Sequence, residues 1–160
     1  MAELLKENNK VKNFKVLLDN GEKVSLKDLI GSKGLILYFY PKDNTPGCTK
    51  EACSFRDSIK DFEDKGFKIV GVSADSMDSH QKFKNKYQLN FPLIVDESKE
   101  LCKYFGVWGE KKMYGKTIEG IIRSTFIIDN NLKIVKVYPK VKVDEHIKEI
   151  LEDLNKLLKE

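Results

Sequence analysis

Histidine is nearly missing from this chain, with only His80 and His146 among its 160 residues. Both fall in predicted helices far in sequence from Cys48. A thiol activated by a neighbouring imidazole is therefore not expected, and both read as surface helix residues. Arginine is as scarce, Arg56 and Arg123 standing against 27 lysines. Cysteine occurs three times, as Cys48, Cys53 and Cys102, without the framework of a disulfide-stapled secreted domain. The longest apolar run, Leu35 to Tyr40, is far too short to span a bilayer. Neither charge sign dominates: 29 basic and 25 acidic residues are spread along the chain, with no basic stripe for nucleic acid. The first residues carry acid early and lack the apolar core of a secretory signal, so a cytoplasmic location is expected. In that setting a few cysteines suggest redox or metal chemistry rather than a permanent staple. The length suits one domain over residues 1–160, burying about two-thirds of its unfolded surface.

What is present alternates strand and helix signals. Phe14 to Leu26 reads as two short strands around Asn20-Gly21, a favoured hairpin turn. Leu35 to Tyr40 reads as a central strand covered on both faces, ended by Pro41. Cys48, Ala52, Phe55, Ile59 and Phe62 then recur at helical spacing and predict one long helix with Cys48 on its apolar face. Strands follow at Phe67–Ser73 and Leu93–Val95, with helices over about Met77 to Tyr87 and Lys99 to Phe105. A loop containing Trp108 and Gly109 leads to strands Ile121 to Ile128 and Leu132 to Tyr138, and a last helix runs from about Val143 to Lys159. The pattern predicts a three-layer α/β sandwich with a mixed central sheet flanked by helices and an N-terminal β-hairpin.

Thr45 and Pro46 read as helix N-cap and first helical residue, the hydroxyl accepting from a free backbone N–H. Cys48 then falls in the first turn, where unpaired N–H groups and the helix dipole favour an anion, so a thiolate is stabilised there relative to a thiol. In a chain otherwise committed to lysine, an arginine marks a place that needs a planar, always-charged fork. Arg123 opens a buried-looking strand and so requires an anionic partner; a Cys48 thiolate would serve. Arg56 packs beside Cys48 or is solvated. Glu51 complements the helix dipole or holds a guanidinium. Asp75 reads as a capping or turn residue, and Cys102 as a small buried helix residue. Cys48 and Cys53, five apart, have Cα atoms roughly 8–9 Å apart in an intact helix. A disulfide needs less than about 7 Å, so this pair can be bridged only if the first turns unwind. Metal binding is disfavoured, because Cys-x4-Cys is not a usual zinc spacing and neither histidine lies near.

The residues Pro41-x3-Thr45-x2-Cys48 resemble the active-site motif of the peroxiredoxins. The wider stretches Tyr38–Cys53, Val72–Asp75, Val107–Gly115 and Ile122–Asp129 resemble the Q-type subfamily, also called bacterioferritin comigratory protein. The resemblance covers about residues 10 to 158. It implies a thioredoxin-like fold, no cofactor, and thiol-dependent reduction of hydrogen peroxide and organic hydroperoxides. On that pattern Cys48 matches the peroxidatic cysteine and Cys53 the resolving one. Thr45 and Arg123 match the groups that hold peroxide and thiolate, and Pro41 the residue shielding the pocket. The backbone N–H groups of Gly47 and Cys48 would add donors, and thioredoxin or a similar dithiol protein would be the reductant. A monomer, or at most a weak dimer, suits an intramolecular resolving thiol. An ordinary thiol, of pKa about 8.5, is already a few per cent ionised at pH 7, so full ionisation gains only about thirtyfold. Most of the catalysis must therefore come from donors aimed at the breaking O–O bond. The competing reading is a dithiol–disulfide exchanger or holdase, for which Cys-x2-Cys is the usual spacing.

Overall fold

The computed structural model describes residues 3–159. In chain order it has β1 (Lys15–Leu18), β2 (Lys23–Ser25), a 3₁₀ turn (Leu26–Leu29), β3 (Gly34–Phe39), α1 (Pro46–Asp57), α2 (Ile59–Asp64) and β4 (Phe67–Ser73). There follow α3 (Met77–Tyr87), β5 (Leu93–Val95), α4 (Glu100–Phe105), β6 (Trp108–Met113), β7 (Lys116–Ile121), β8 (Ser124–Asp129), β9 (Ile134–Tyr138) and α5 (His146–Leu158). Seven strands form one mixed sheet in the order β2-β1-β5-β4-β3-β8-β9. Pairing is parallel for β3 with β4 and β4 with β5, and antiparallel elsewhere in it. No helix among the described residues is long and apolar enough to cross a membrane.

Alternation along the central strand divides the core in two. Leu35, Leu37 and Phe39 point to the face covered by α4, with Leu101, Cys102 and Phe105. Ile36, Tyr38 and Tyr40 point to the other, covered by α1, α2, α3 and α5. The five of these residues in β3 are buried, as a doubly covered strand requires, and so is Tyr40 just beyond it. On α1, Cys48, Ala52 and Phe55 form the stripe facing the sheet, and Phe55 stacks on Tyr38 with ring centroids 4.5 Å apart. Burying a ring such as Phe55 is worth roughly 1.5–3 kcal/mol, so α1 is held by this face rather than by its polar sequence.

The N-terminal hairpin forms as expected, with Gly21 in the left-handed region at φ +89° where a side chain would be strained. Four expectations need correction. The long helix breaks at Ser58, whose N–H already bonds back to both Ser54 and Phe55. Leu26 starts a 3₁₀ turn capped reciprocally by Ser25 and Asp28 rather than ending a strand. The loop around Trp108 is a two-stranded hairpin, β6 with β7, apart from the main sheet. Finally, the strand expected over Ile121–Ile128 is interrupted: Arg123 lies between β7 and β8, its carbonyl accepting from Val141 N–H. The terminal residues 1, 2 and 160 of the expected domain lie outside the described residues.

Candidate active site

The site forms where β3 ends and α1 begins. Pro41, half-buried, closes the strand, and residues 41–45 turn the chain into the helix. Thr45 takes the N-cap position in extended conformation, and its carbonyl accepts from Thr49 N–H at 2.8 Å. Its side chain departs from expectation. The hydroxyl donates to the Lys42 carbonyl at 2.8 Å and makes no cap bond to the helix. The competing acceptor is local, three residues back, and it leaves the start of α1 without a side-chain cap.

Cys48 is the third residue of α1 and only 1% exposed. The break between β7 and β8 brings Arg123 across the helix start, with Nη2 3.3 Å from the Cys48 sulfur. Nη1 of the same guanidinium donates to Glu51 Oε1 at 2.6 Å. Glu51 therefore does what the second of its two readings required, holding a guanidinium from the second turn of α1. Gly47 permits the crossing: a Cβ there would sit 3.2 Å from Arg123 Nη2. Burial disfavours the Arg123 charge, but Glu51 and Cys48 outweigh it and hold the group firmly protonated. Burial also pushes the Glu51 carboxyl up to about 7, with Arg123 pulling the other way. Cys53 lies on the wetter flank of α1, half-buried, and both thiols are free on an intact helix.

Several side chains fall elsewhere than the sequence suggested. Arg56 does not approach Cys48; its Nη1 donates to the Tyr87 carbonyl at the end of α3, at 2.6 Å. The two histidines are not surface residues. His80 is fully buried, bonded to Asp43 at 2.6 Å and the Ile94 carbonyl at 2.8 Å. His146 is 3% exposed, 2.9 Å from the Thr125 hydroxyl, and burial holds its pKa below the ordinary histidine value. The missed signal is helical spacing: His80 shares a stripe with Phe83 and Tyr87, and His146 with Ile150 and Leu154. Asp75 is a turn residue as expected, accepting from Ser73 Oγ and from Asp43 N–H, both at 2.8 Å. Cys102 is buried on the opposite face of the sheet.

A buried thiol facing an arginine pinned by a carboxylate, at the mouth of a strand-to-helix turn, is a place for a small polar electrophile. Residues 8–137 match the AhpC/TSA family. This chain belongs to that family, among the Bcp/PrxQ peroxiredoxins. It is 51% identical to peroxiredoxin Bcp of Bacillus subtilis over 136 residues, 85% of this chain and 86% of the relative. A Xylella fastidiosa PrxQ variant superposes with TM-score 0.90 at 36% identity, covering 99% of each chain. A Xanthomonas campestris bacterioferritin comigratory protein, studied for alkyl peroxide reduction activity through trapped intermediate/ligand complexes, superposes with TM-score 0.83. It is 39% identical, over 97% of this chain and 98% of that one. The fold is thus that of the thioredoxin-like peroxiredoxins, and the reaction is thiol-dependent reduction of peroxide.

Proposed function

We propose that Cys48 is the peroxidatic residue of a two-cysteine peroxiredoxin occupying residues 1–160 as one domain. Its thiolate attacks the distal oxygen of hydrogen peroxide or an organic hydroperoxide. An S–O bond forms and the O–O bond breaks; sulfur loses two electrons, and the departing oxygen takes a proton to leave as water or alcohol. Negative charge moves onto that oxygen in the transition state. Arg123 and the uncapped N–H groups of Gly47 and Cys48 are the donors placed to receive it, with Pro41 shielding the pocket. Thr45 serves the peroxide once its hydroxyl leaves the Lys42 carbonyl.

The Cys48 sulfenic acid then condenses with the Cys53 thiol, releasing water and forming a disulfide. Because α1 spans both cysteines, this step requires the helix to unwind between them. Thioredoxin or a similar dithiol protein restores the thiols by exchange. With both cysteines on one chain the enzyme works as a monomer or weak dimer, in the cytoplasm, without metal or cofactor. The alkyl peroxide activity studied in the X. campestris relative supports organic hydroperoxides as substrates.

The observation that carries this reading is the Glu51–Arg123–Cys48 chain of contacts, at 2.6 and 3.3 Å. A dithiol exchanger or holdase has no need of it, and a thiol 1% exposed is poorly placed to attack a protein disulfide. Single-turnover kinetics test it: Cys53→Ser should still consume one equivalent of peroxide, and Cys48→Ser none. Insulin reduction without peroxide would point instead to the exchanger.

A further inference from the structure

The segment that has to unwind is held at both ends by one neighbouring helix. Ahead of Cys48, the turn of residues 41–45 is centred on Asp43, a carboxylate 7% exposed. Its Oδ1 accepts from Tyr40 Oη at 2.6 Å. Its Oδ2 accepts from Ser79 Oγ at 2.8 Å and faces His80 Nδ1 at 2.6 Å, both from the first turn of α3. Asn44, in the left-handed region at φ +59°, accepts from Tyr87 Oη at 3.0 Å, from the last turn of α3. Beyond Cys53, Arg56 is tied to the Tyr87 carbonyl.

The protonation state of His80 follows from its partners. Nδ1 meets a carboxylate and Nε2 meets the Ile94 carbonyl on β5. Neither partner has a proton to give, so both ring nitrogens must donate, and the ring is an imidazolium. Asp75 lies in the same close grouping with Asp43 and His80. The groups facing the ring are Asp43 and Asp75 from the two turns, Tyr40 just after β3 and the Ile94 carbonyl from β5. Loss of either ring proton sets a nitrogen lone pair against an oxygen lone pair at a ring that is fully buried, where an unpaired polar group is costly.

We propose that the Asp43–His80 ion pair is a proton-dependent latch on the active-site turn, holding residues 41–48 in the folded arrangement that reacts with peroxide and releasing them to unwind when His80 loses its proton. His80 and Asp43 are positioning residues; neither touches the reacting atoms. The latch rests on the proposed use of Cys53, since it governs the opening that delivers that thiol. Burial works against the His80 charge, but the Asp43 bond and charge prevail and keep its pKa above the ordinary histidine value. A raised value means that this contribution is complete at pH below the unfolded histidine value, near 6.5, and is lost as pH rises through the folded one.

Amide hydrogen exchange on the reduced protein tests this without any disulfide. Corrected for intrinsic exchange, protection over residues 41–48 in the wild type should fall by up to about tenfold per pH unit, the limit for one linked proton, from the unfolded histidine value near 6.5 up to the raised His80 value of the folded protein, and level off above it. In His80→Asn protection should start lower and lose that part of the slope, while β3 and β8 amides stay protected in both. The Glu51 contribution is common to the two proteins and cancels in the comparison. A wild-type profile flat with pH, or the same slope in His80→Asn, overturns the latch. The wild-type profile decides the matter even if the variant does not fold. Failure of Cys53 to pair with Cys48 is read separately, by peptide mapping, and bears only on the proposed function.

Discussion

Cys48 and Cys102 occupy the same position in their helices, each the third residue, each buried, on opposite faces of one sheet. Their surroundings differ in sign. At α1 no side chain caps the helix start, and a guanidinium lies 3.3 Å from sulfur. At α4 the start is already taken by an anion: Asp96 accepts from Leu101 N–H at 3.1 Å and from Cys102 N–H at 2.9 Å. Burial, reinforced by the Asp96 charge, pushes the Cys102 thiol far above the ordinary cysteine range. A place in the first turn is therefore not enough to make a nucleophile. What decides is whether the helix terminus and the opposing charge are left for sulfur to use.

The strongest break in that comparison is removal of each sulfur in turn. Cys48→Ser should cut peroxide turnover by roughly three orders of magnitude or more, as loss of a nucleophile does. Cys102→Ser should leave steady-state turnover within about twofold, and a large loss there would erase the distinction. Next comes the cation. Arg123→Ala should slow peroxide attack about 10²–10³-fold, the usual effect of losing one transition-state donor. It should also cost stability, on the order of 3–5 kcal/mol, because Glu51 is left buried and unpaired. Adding Glu51→Gln should recover much of the stability measured by denaturant and none of the rate.

Glu51→Gln alone sharpens the pH side. Burial raises the Glu51 carboxyl to about 7 against the pull of Arg123, so the fold favours its protonated form. That contribution is complete below the ordinary carboxylate value near 4.5 and is lost as pH rises through about 7. Wild-type stability should decline across that interval relative to Glu51→Gln in parallel urea titrations. The rate of peroxide attack should show an inflection near 7 that the variant lacks. The smallest effect is expected on the other face. Asp96→Asn should raise Cys102 alkylation only severalfold, because burial is the larger cause of its inertness and remains.

Much of this was legible in the sequence wherever the signal was local. The stripe Cys48, Ala52, Phe55, Phe62 and the run Leu35–Tyr40 gave burial and facing correctly, because helix and strand periods are short-range properties. The scarcity of arginine pointed to Arg123, although not to its place in a break between strands. Contacts between distant residues were not legible: Asp43 meets His80 across 37 positions and Arg123 meets Glu51 across 72. The β6–β7 hairpin was missed for a different reason. Its second strand is exposed along most of its length, so no alternation of apolar and polar residues announces it. The Thr45 hydroxyl was misassigned because two acceptor and donor choices of similar energy lie within one turn of it.

The most direct test of the contrast between the two buried thiols is intact mass after one equivalent of hydrogen peroxide, followed by peptide mapping with alkylation under denaturing conditions. The account predicts a loss of about two mass units localised to a Cys48–Cys53 disulfide, with Cys102 recovered as a free, alkylated thiol. A disulfide or oxidised sulfur at Cys102, with Cys48 still reduced, would contradict it.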